Sequence, residues 1–196
     1  MELPALPARS GHQDKNVAIQ LLTSLLEELW TQGQAREQLR EVLCCETGGR
    51  FHLVEAGQMS AQGVLLLHQP IQGAHSTTAL RAKLRALRRK LGLAEESLFE
   101  LELAIGEVAG NVVKHAQQGC CDLYLSPSEV TVCICDNGPG ILPGKLHKSV
   151  LVAGFSTKES LGMGYTLLLS LVDTVWLSTG QNGTSVKFCK KRTQIR

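Results

Sequence analysis

Glu107, Asn111 and His115 stand four residues apart in the run Glu107-Val108-Ala109-Gly110-Asn111-Val112-Val113-Lys114-His115. On a helix that spacing puts all three on one face, with Lys114 close beside it. A carboxylate and an amide one turn apart can hold a hydrated divalent cation or orient a water. A polar stripe on an amphipathic helix has the same spacing, so this run alone decides nothing. Asp136-Asn137-Gly138-Pro139-Gly140 follows the apolar run Val130-Thr131-Val132-Cys133-Ile134-Cys135. An Asp there sits at the end of a buried strand. The glycines after it let backbone approach a flat ligand closely. Its carboxylate can accept a hydrogen bond from an exocyclic amine such as that of adenine, although a plain Asx/Gly turn reads the same.

A third stretch is Gly154-Phe155-Ser156-Thr157-Lys158, then Leu161-Gly162-Met163-Gly164-Tyr165. Gly162-x-Gly164 at a helix start offers free backbone N–H groups to an anion, and Ser156, Thr157 and Lys158 add hydroxyls and charge. The spacing is neither a Walker A loop nor a dinucleotide fingerprint. Gly183-Thr184 opens the last apolar run.

These residues need elements to position them. Residues 1–15 read as a loose tail. Val17, Leu21, Leu25, Leu29 and Trp30 recur at helical spacing from Asn16 to about Cys45. Gly33 is a candidate break, and Gly48-Gly49 ends the helix. Arg50–Ala56 and Gly63–His68 read as short strands, closed by Pro70 and Gly73. His75–Leu91 is a helix with Leu80, Leu84, Leu87 and Leu91 inward and Gly92 as its C-cap. Its six basic residues form a solvated face. A second helix runs from about Glu95 to Gln117, burying Leu98, Leu101, Ile105, Val108 and Val112. Cys121–Leu125 and Glu129–Cys135 are strands. A linker covers Ile141–Gly162, and Gly164–Val172 is a helix. Asp173–Ser178 and Thr184–Cys189 close the chain as strands, with Asn182-Gly183 as hairpin signal. Lys190 to Arg192 read as a solvated terminus. The pattern predicts an α+β sandwich with helices on one face of a mixed sheet.

In a chain of 196 residues, 43% hydrophobic content excludes general disorder, and 20 basic against 18 acidic residues give no global case for nucleic acid or membrane binding. The seven cysteines, Cys44, Cys45, Cys120, Cys121, Cys133, Cys135 and Cys189, show no zinc spacing. They read as free thiols acting as small buried hydrophobes in a reducing compartment. With no apolar signal core and no run of bilayer length, the expectation is a soluble cytoplasmic protein.

Taken in order, Glu107-x-x-x-Asn111-x-x-Lys114-His115, Asp136-x-Gly138-x-Gly140, Gly162-x-Gly164 and Gly183-Thr184 resemble the GHKL (Bergerat-fold) ATPase superfamily. The nearest likeness is to bacterial anti-sigma-factor serine/threonine kinases and related switch kinases. It covers roughly Gly63 to Lys190. It implies a Bergerat-type two-layer sandwich, with domain limits of 1–15 tail, 16–62 helical extension with a short strand, 63–190 ATP-binding domain and 191–196 basic tail.

The resemblance also implies roles. Asn111 would coordinate Mg2+. Glu107 would bind through the metal's water shell or act as general base. Lys114 and His115 would lie near the phosphates. Asp136 would bind the adenine amine, with Thr184 in support through water, and Gly138 and Gly140 would shape the base pocket. Gly162, Met163 and Gly164 would meet the phosphates, and Ser156, Thr157 and Lys158 would belong to a mobile ATP lid. His12, His52, His68 and His75 lack the context of a phosphoacceptor histidine, and His147 reads as a lid or surface residue.

The implied activity is ATP- and Mg2+-dependent phosphorylation of a serine or threonine in a regulatory protein of the anti-anti-sigma kind. A sigma factor or other regulator, and a second copy of the chain, are further candidate partners. Two alternatives stand beside it: a non-kinase ATP binder or ATPase whose lid gates an interaction, and an adaptor that uses the fold only as a surface.

Overall fold

A computed structural model describes residues 34–116, 118–141, 146 and 164–192. The expected N-terminal tail and the helix stripe from Val17 to Trp30 lie outside the described residues. So do His147, Ser156, Thr157, Lys158, Gly162 and Met163. The chain from Leu39 onward forms one compact unit, which carries the whole sheet.

Eleven elements are described in chain order: α1 (Gln34–Glu46), β1 (Phe51–Leu53), a 3-10 turn (Ala56–Gln58), β2 (Val64–Gln72), α2 (His75–Leu91), α3 (Glu95–His115), β3 (Gln118–Leu125), β4 (Glu129–Asp136), α4 (Gly164–Leu171), β5 (Thr174–Gly180) and β6 (Gly183–Lys191). The six strands form one sheet in the order β1-β5-β6-β4-β3-β2. Only β1 and β5 are parallel; every other pair is antiparallel. This is the α+β architecture expected, a mixed sheet with helices on one face.

Residues opposite one another on paired strands point to the same side of a sheet. One such row runs Phe51, Val175, Phe188, Val132, Leu123, and all five are fully buried. It forms the inner face, on which α3 lies across β2, β3, β4 and β6. From α3 come Leu101, Ala104, Ile105, Val108, Ala109 and Val112, all buried, and from α2 Leu80, Leu84 and Leu91. The adjacent row, His52, Trp176, Lys187, Cys133, Asp122, His68, lies on the other, open face.

Ion pairs and side-chain caps fasten the helices. Glu102 is buried on α3 and takes a bidentate bond from Arg85 of α2 (Nε–Oε1 2.9 Å, Nη2–Oε2 2.8 Å). That hydrogen bond, and the charge behind it, push the Arg85 guanidinium further up. The last carbonyls of α4 have no intrahelical partner. Arg50, just before β1, donates to Leu169 O, to Val172 O (2.8 Å) and to Asp173 O (3.3 Å). Arg50→Ala is therefore expected to lower stability by about 1–3 kcal/mol, through carbonyls left half-buried without donors. A shifted urea midpoint at unchanged slope would report it.

Four sequence expectations change. Pro70 lies inside β2, opposite Cys120, and does not end it. It is tolerated because β2 is an edge strand, where a missing N–H costs no ladder bond. The α3 helix ends at His115, before Gln117, which lies outside the described residues.

The C-terminal basic residues are not simply solvated. Lys190 pairs with Glu100 at 2.5 Å and donates to Leu171 O, while Arg192 donates to Leu91 O (2.7 Å) and Ser126 O (3.0 Å). They act as caps for α4 and α2. Finally, only Cys121 and Cys189 are buried. Cys120, Cys133 and Cys135 face the open side of the sheet and are half-buried, as is Cys44, and Cys45 is exposed. All seven are free thiols.

Among the described residues no helix is long and apolar enough to cross a membrane. Nor do they hold a group of three or more His, Cys, Asp or Glu able to bind a metal.

Candidate nucleotide site

β4 delivers Asp136 at its last position, where the strand's inward alternation of Val132 and Ile134 leaves the side chain on the helix side of the sheet. Two backbone groups then grip one carboxylate oxygen. Gly138 N donates to Oδ1 at 2.8 Å and Thr184 N donates to the same oxygen at 3.1 Å. Among the described residues nothing donates to Oδ2. The group is thus oriented by its own fold through Oδ1 alone.

The glycines explain how three segments crowd around it. A methyl on Gly138 would come within 2.8 Å of Ala116 Cβ, so the turn after Asp136 lies against the end of α3. A methyl on Gly119 would meet Val112 at 2.8 Å. Gly183 has φ +127° and its backbone lies against the Asp136 carbonyl; a methyl there would sit 2.9 Å from the carbonyl carbon. Gly140, at φ +75°, lies equally close to the Gly180 backbone. Gly140→Ala is expected to cost about 1–2 kcal/mol for left-handed backbone and more for the contact with Gly180. A thermal melt would read that loss, and nucleotide affinity should fall with it.

The hairpin differs from its sequence signal. Its two-residue turn is Gln181-Asn182, and Gly183 already pairs with Gly180. Glycine is needed at 183 because β6 passes the Asp136 backbone so closely. The same register sets Thr179 opposite Thr184, with their hydroxyls 3.3 Å apart and both residues buried. Thr179 Oγ1 also accepts from Ile141 N at 2.8 Å, which holds the chain after Gly140 to β5. Sequence reading missed Thr179; only the hairpin register, counted outward from Gln181-Asn182, would have found it. Arg50 was missed as well, since nothing local ties it to α4.

On α3, Glu107 and Asn111 are half-buried one turn apart, and Lys114 and His115 are exposed in the last turn. Among the described residues neither the Glu107 nor the Asn111 side chain makes a hydrogen bond. Ala116, just past the end of α3, meets the Asp136 turn at Gly138. Gly164 begins α4, followed by Tyr165. Burial pushes the Tyr165 phenol up, and the nearby Asp136 charge adds to it. Tyr165 also meets Phe51 edge-on, with ring centroids 5.7 Å apart. Of the site residues named from the sequence, Glu107, Asn111, Lys114, His115, Asp136, Gly138, Gly140, Gly164 and Thr184 are thus described. Ser156, Thr157, Lys158, Gly162 and Met163 are not.

A carboxylate fixed at a strand end, a glycine-lined turn and a helix face with Glu107 and Asn111 belong to a mixed sheet covered by helices on one side. Residues 72–190 match the histidine kinase-like ATPase domain, and the chain belongs to that family, with the GHKL-type fold expected of it. Several solved structures are similar. One is the RsbU and RsbW domains of Rv1364c from Mycobacterium tuberculosis, at 18% identity and a TM-score of 0.48, covering 65% of this chain and 33% of that one. Another is the mycobacterial sensor histidine kinase MprB, at 19% and 0.42, covering 65% of this chain and 100% of that one. A third is the histidine kinase domain of the blue-light activated kinase EL346 from Erythrobacter litoralis, at 16% and 0.39, covering 59% of each. The chain spans about a third of the length of the first of these. No curated protein matches the sequence.

Proposed function

We propose that this protein is an ATP- and Mg2+-dependent serine/threonine kinase of the partner-switching type, which phosphorylates a regulatory protein. The observation that carries the reading is the Asp136 carboxylate. Its Oδ1 is saturated by two backbone N–H groups and its Oδ2 is open, which suits an acceptor for the adenine amine. Membership of an ATPase domain family supports the same ligand.

The chemistry asked of the protein is mainly positioning and charge neutralisation. Asn111 and Glu107, both without partners among the described residues, suit a hydrated Mg2+ that would spread the phosphate charge. Glu107 would also take the proton of an acceptor hydroxyl. Gly164 at the start of α4, together with Gly162 and Met163, would offer backbone N–H groups to the phosphates. Lys114 and His115 would add positive charge, and Ser156, Thr157 and Lys158 would close over the nucleotide as a lid that keeps water out.

Asn111→Ala is expected to abolish the Mg2+-dependent part of ATP affinity, read by titration with and without the metal. An unchanged Mg-ATP affinity would put the metal elsewhere. The kinase reading itself is tested by transfer of label from γ-labelled ATP to a protein that co-purifies with the chain. A labelled serine or threonine supports it. Hydrolysis or binding with no transfer favours a regulatory ATPase.

A further inference from the structure

α2 and α3 pack side by side, and two contacts fix their register. Arg85 of α2 holds Glu102 of α3, with Nη2–Oε2 at 2.8 Å. Arg81 lies against Gly106, where a methyl would come 3.1 Å from the Arg81 Cζ. As α2 advances from Arg81 to Arg85, α3 steps back from Gly106 to Glu102, so the two helices run antiparallel. The next turn of that register brings Arg88 level with Phe99.

The outward side of α3 is apolar where a solvated helix would be polar. Phe99 is 59% exposed and Leu103 36% exposed, one turn apart on one face. Gly110 continues the same row two turns further on. Among the described residues a methyl on Gly110 would touch nothing within 4 Å, so internal packing asks for no glycine there, although glycine weakens a helix interior. Open space over a helical glycine suits the close approach of a second backbone.

The rim toward α2 is basic. Arg81, Arg88 and Arg89 are exposed, and among the described residues none of them has a hydrogen-bond or ion-pair partner. The dipole of α2 accounts for Arg88 and Arg89 in its last turn. It does not account for Arg81, nearly three turns earlier. Glu96 and Glu107 lie along the side of the row away from α2. An exposed aromatic ring beside free arginines has the composition of a protein interface.

We propose that the α2–α3 face from Arg88 and Phe99 to Gly110 docks an acidic segment of a partner protein. An apolar side chain of the segment covers Phe99 and Leu103, its carboxylates meet Arg81, Arg88 and Arg89, and its backbone crosses Gly110. Charge selects this occupant, because three cations without partners on one rim call for carboxylates. Glu107 is about 12 Å along the axis from Phe99, so the docked segment passes beside it. The inference does not rest on the nucleotide reading, since docking is measured with no nucleotide present.

The test titrates the full chain, at low salt, with a labelled random copolymer of glutamate and tyrosine and reads fluorescence anisotropy. Saturable binding is expected. A lysine–tyrosine copolymer and a glutamate homopolymer should each bind about 10-fold more weakly or worse, the first for its charge and the second for want of an apolar group. Arg81→Gln with Arg88→Gln should weaken binding of the glutamate–tyrosine copolymer about 10-fold, as should Phe99→Ser with Leu103→Ser. All four side chains are exposed, so the melting temperature should hardly move. Lys187→Gln with Lys191→Gln removes the same charge from β6 and should change affinity by less than about 2-fold. No saturable binding, a lysine copolymer that binds as well, equal losses in the two charge-neutralised chains, or wild-type affinity in the Phe99→Ser, Leu103→Ser chain would each overturn the proposal. So would a wild-type chain that sediments as a dimer and becomes a monomer on that apolar double substitution, which would give the face to a second copy.

Discussion

Asp136→Asn is expected to weaken ATP binding by about 100-fold or more while the chain stays folded. The two N–H groups of Gly138 and Thr184 already occupy one oxygen of this side chain. An amide has only one oxygen, and those donors will hold it in place. The NH2 group then occupies the Oδ2 position and points a donor at a donor. One charge-assisted hydrogen bond is lost and one amine is buried without an acceptor, together about 3 kcal/mol or more. Because the backbone bonds survive, the melting temperature should hardly move. That separates a lost ligand contact from a collapsed turn. Equal affinity for ATP in the variant and the wild type would mean that this carboxylate does not face the base.

The second large effect is expected from Glu107→Gln. The substitution keeps size and shape on α3 and removes the ability to accept a proton. If Glu107 is the base for the acceptor hydroxyl, phosphoryl transfer should fall by about 100- to 10,000-fold while ATP affinity changes little. If the carboxylate serves only the water shell of the metal, affinity and transfer should fall together. Single-turnover transfer at saturating ATP, measured beside a binding titration, distinguishes the two roles.

The parts of this fold that were legible in the sequence are those encoded locally. The spacing of Glu107, Asn111 and His115 sets one helix face wherever α3 lies. The alternation from Val130 to Cys135 places Asp136 at a strand end, and Leu80, Leu84 and Leu91 mark the buried side of α2. Long-range choices were not legible. Nothing in β4 or β6 says that they pair with each other across the intervening α4. No local signal tells that Arg50 will cap α4, or that Lys190 will reach Glu100. The cysteines misled for a related reason. Cys120, Cys133 and Cys135 sit in apolar runs, but which face of a strand is buried depends on where the helices pack, and these three face away from them. Pro70 looked like a strand end because the position of β2 at the edge of the sheet is itself a long-range fact.

The most direct measurement is a calorimetric titration of the wild-type chain with ATP and, separately, with GTP, both with Mg2+ present. GTP carries a carbonyl oxygen where adenine carries its amine, and that oxygen would meet Asp136 Oδ2 as acceptor against acceptor. One-site binding of ATP, with GTP weaker by about 100-fold or more, is the predicted result. No saturable ATP binding, or equal affinity for the two nucleotides, would contradict the placement of an adenine at Asp136.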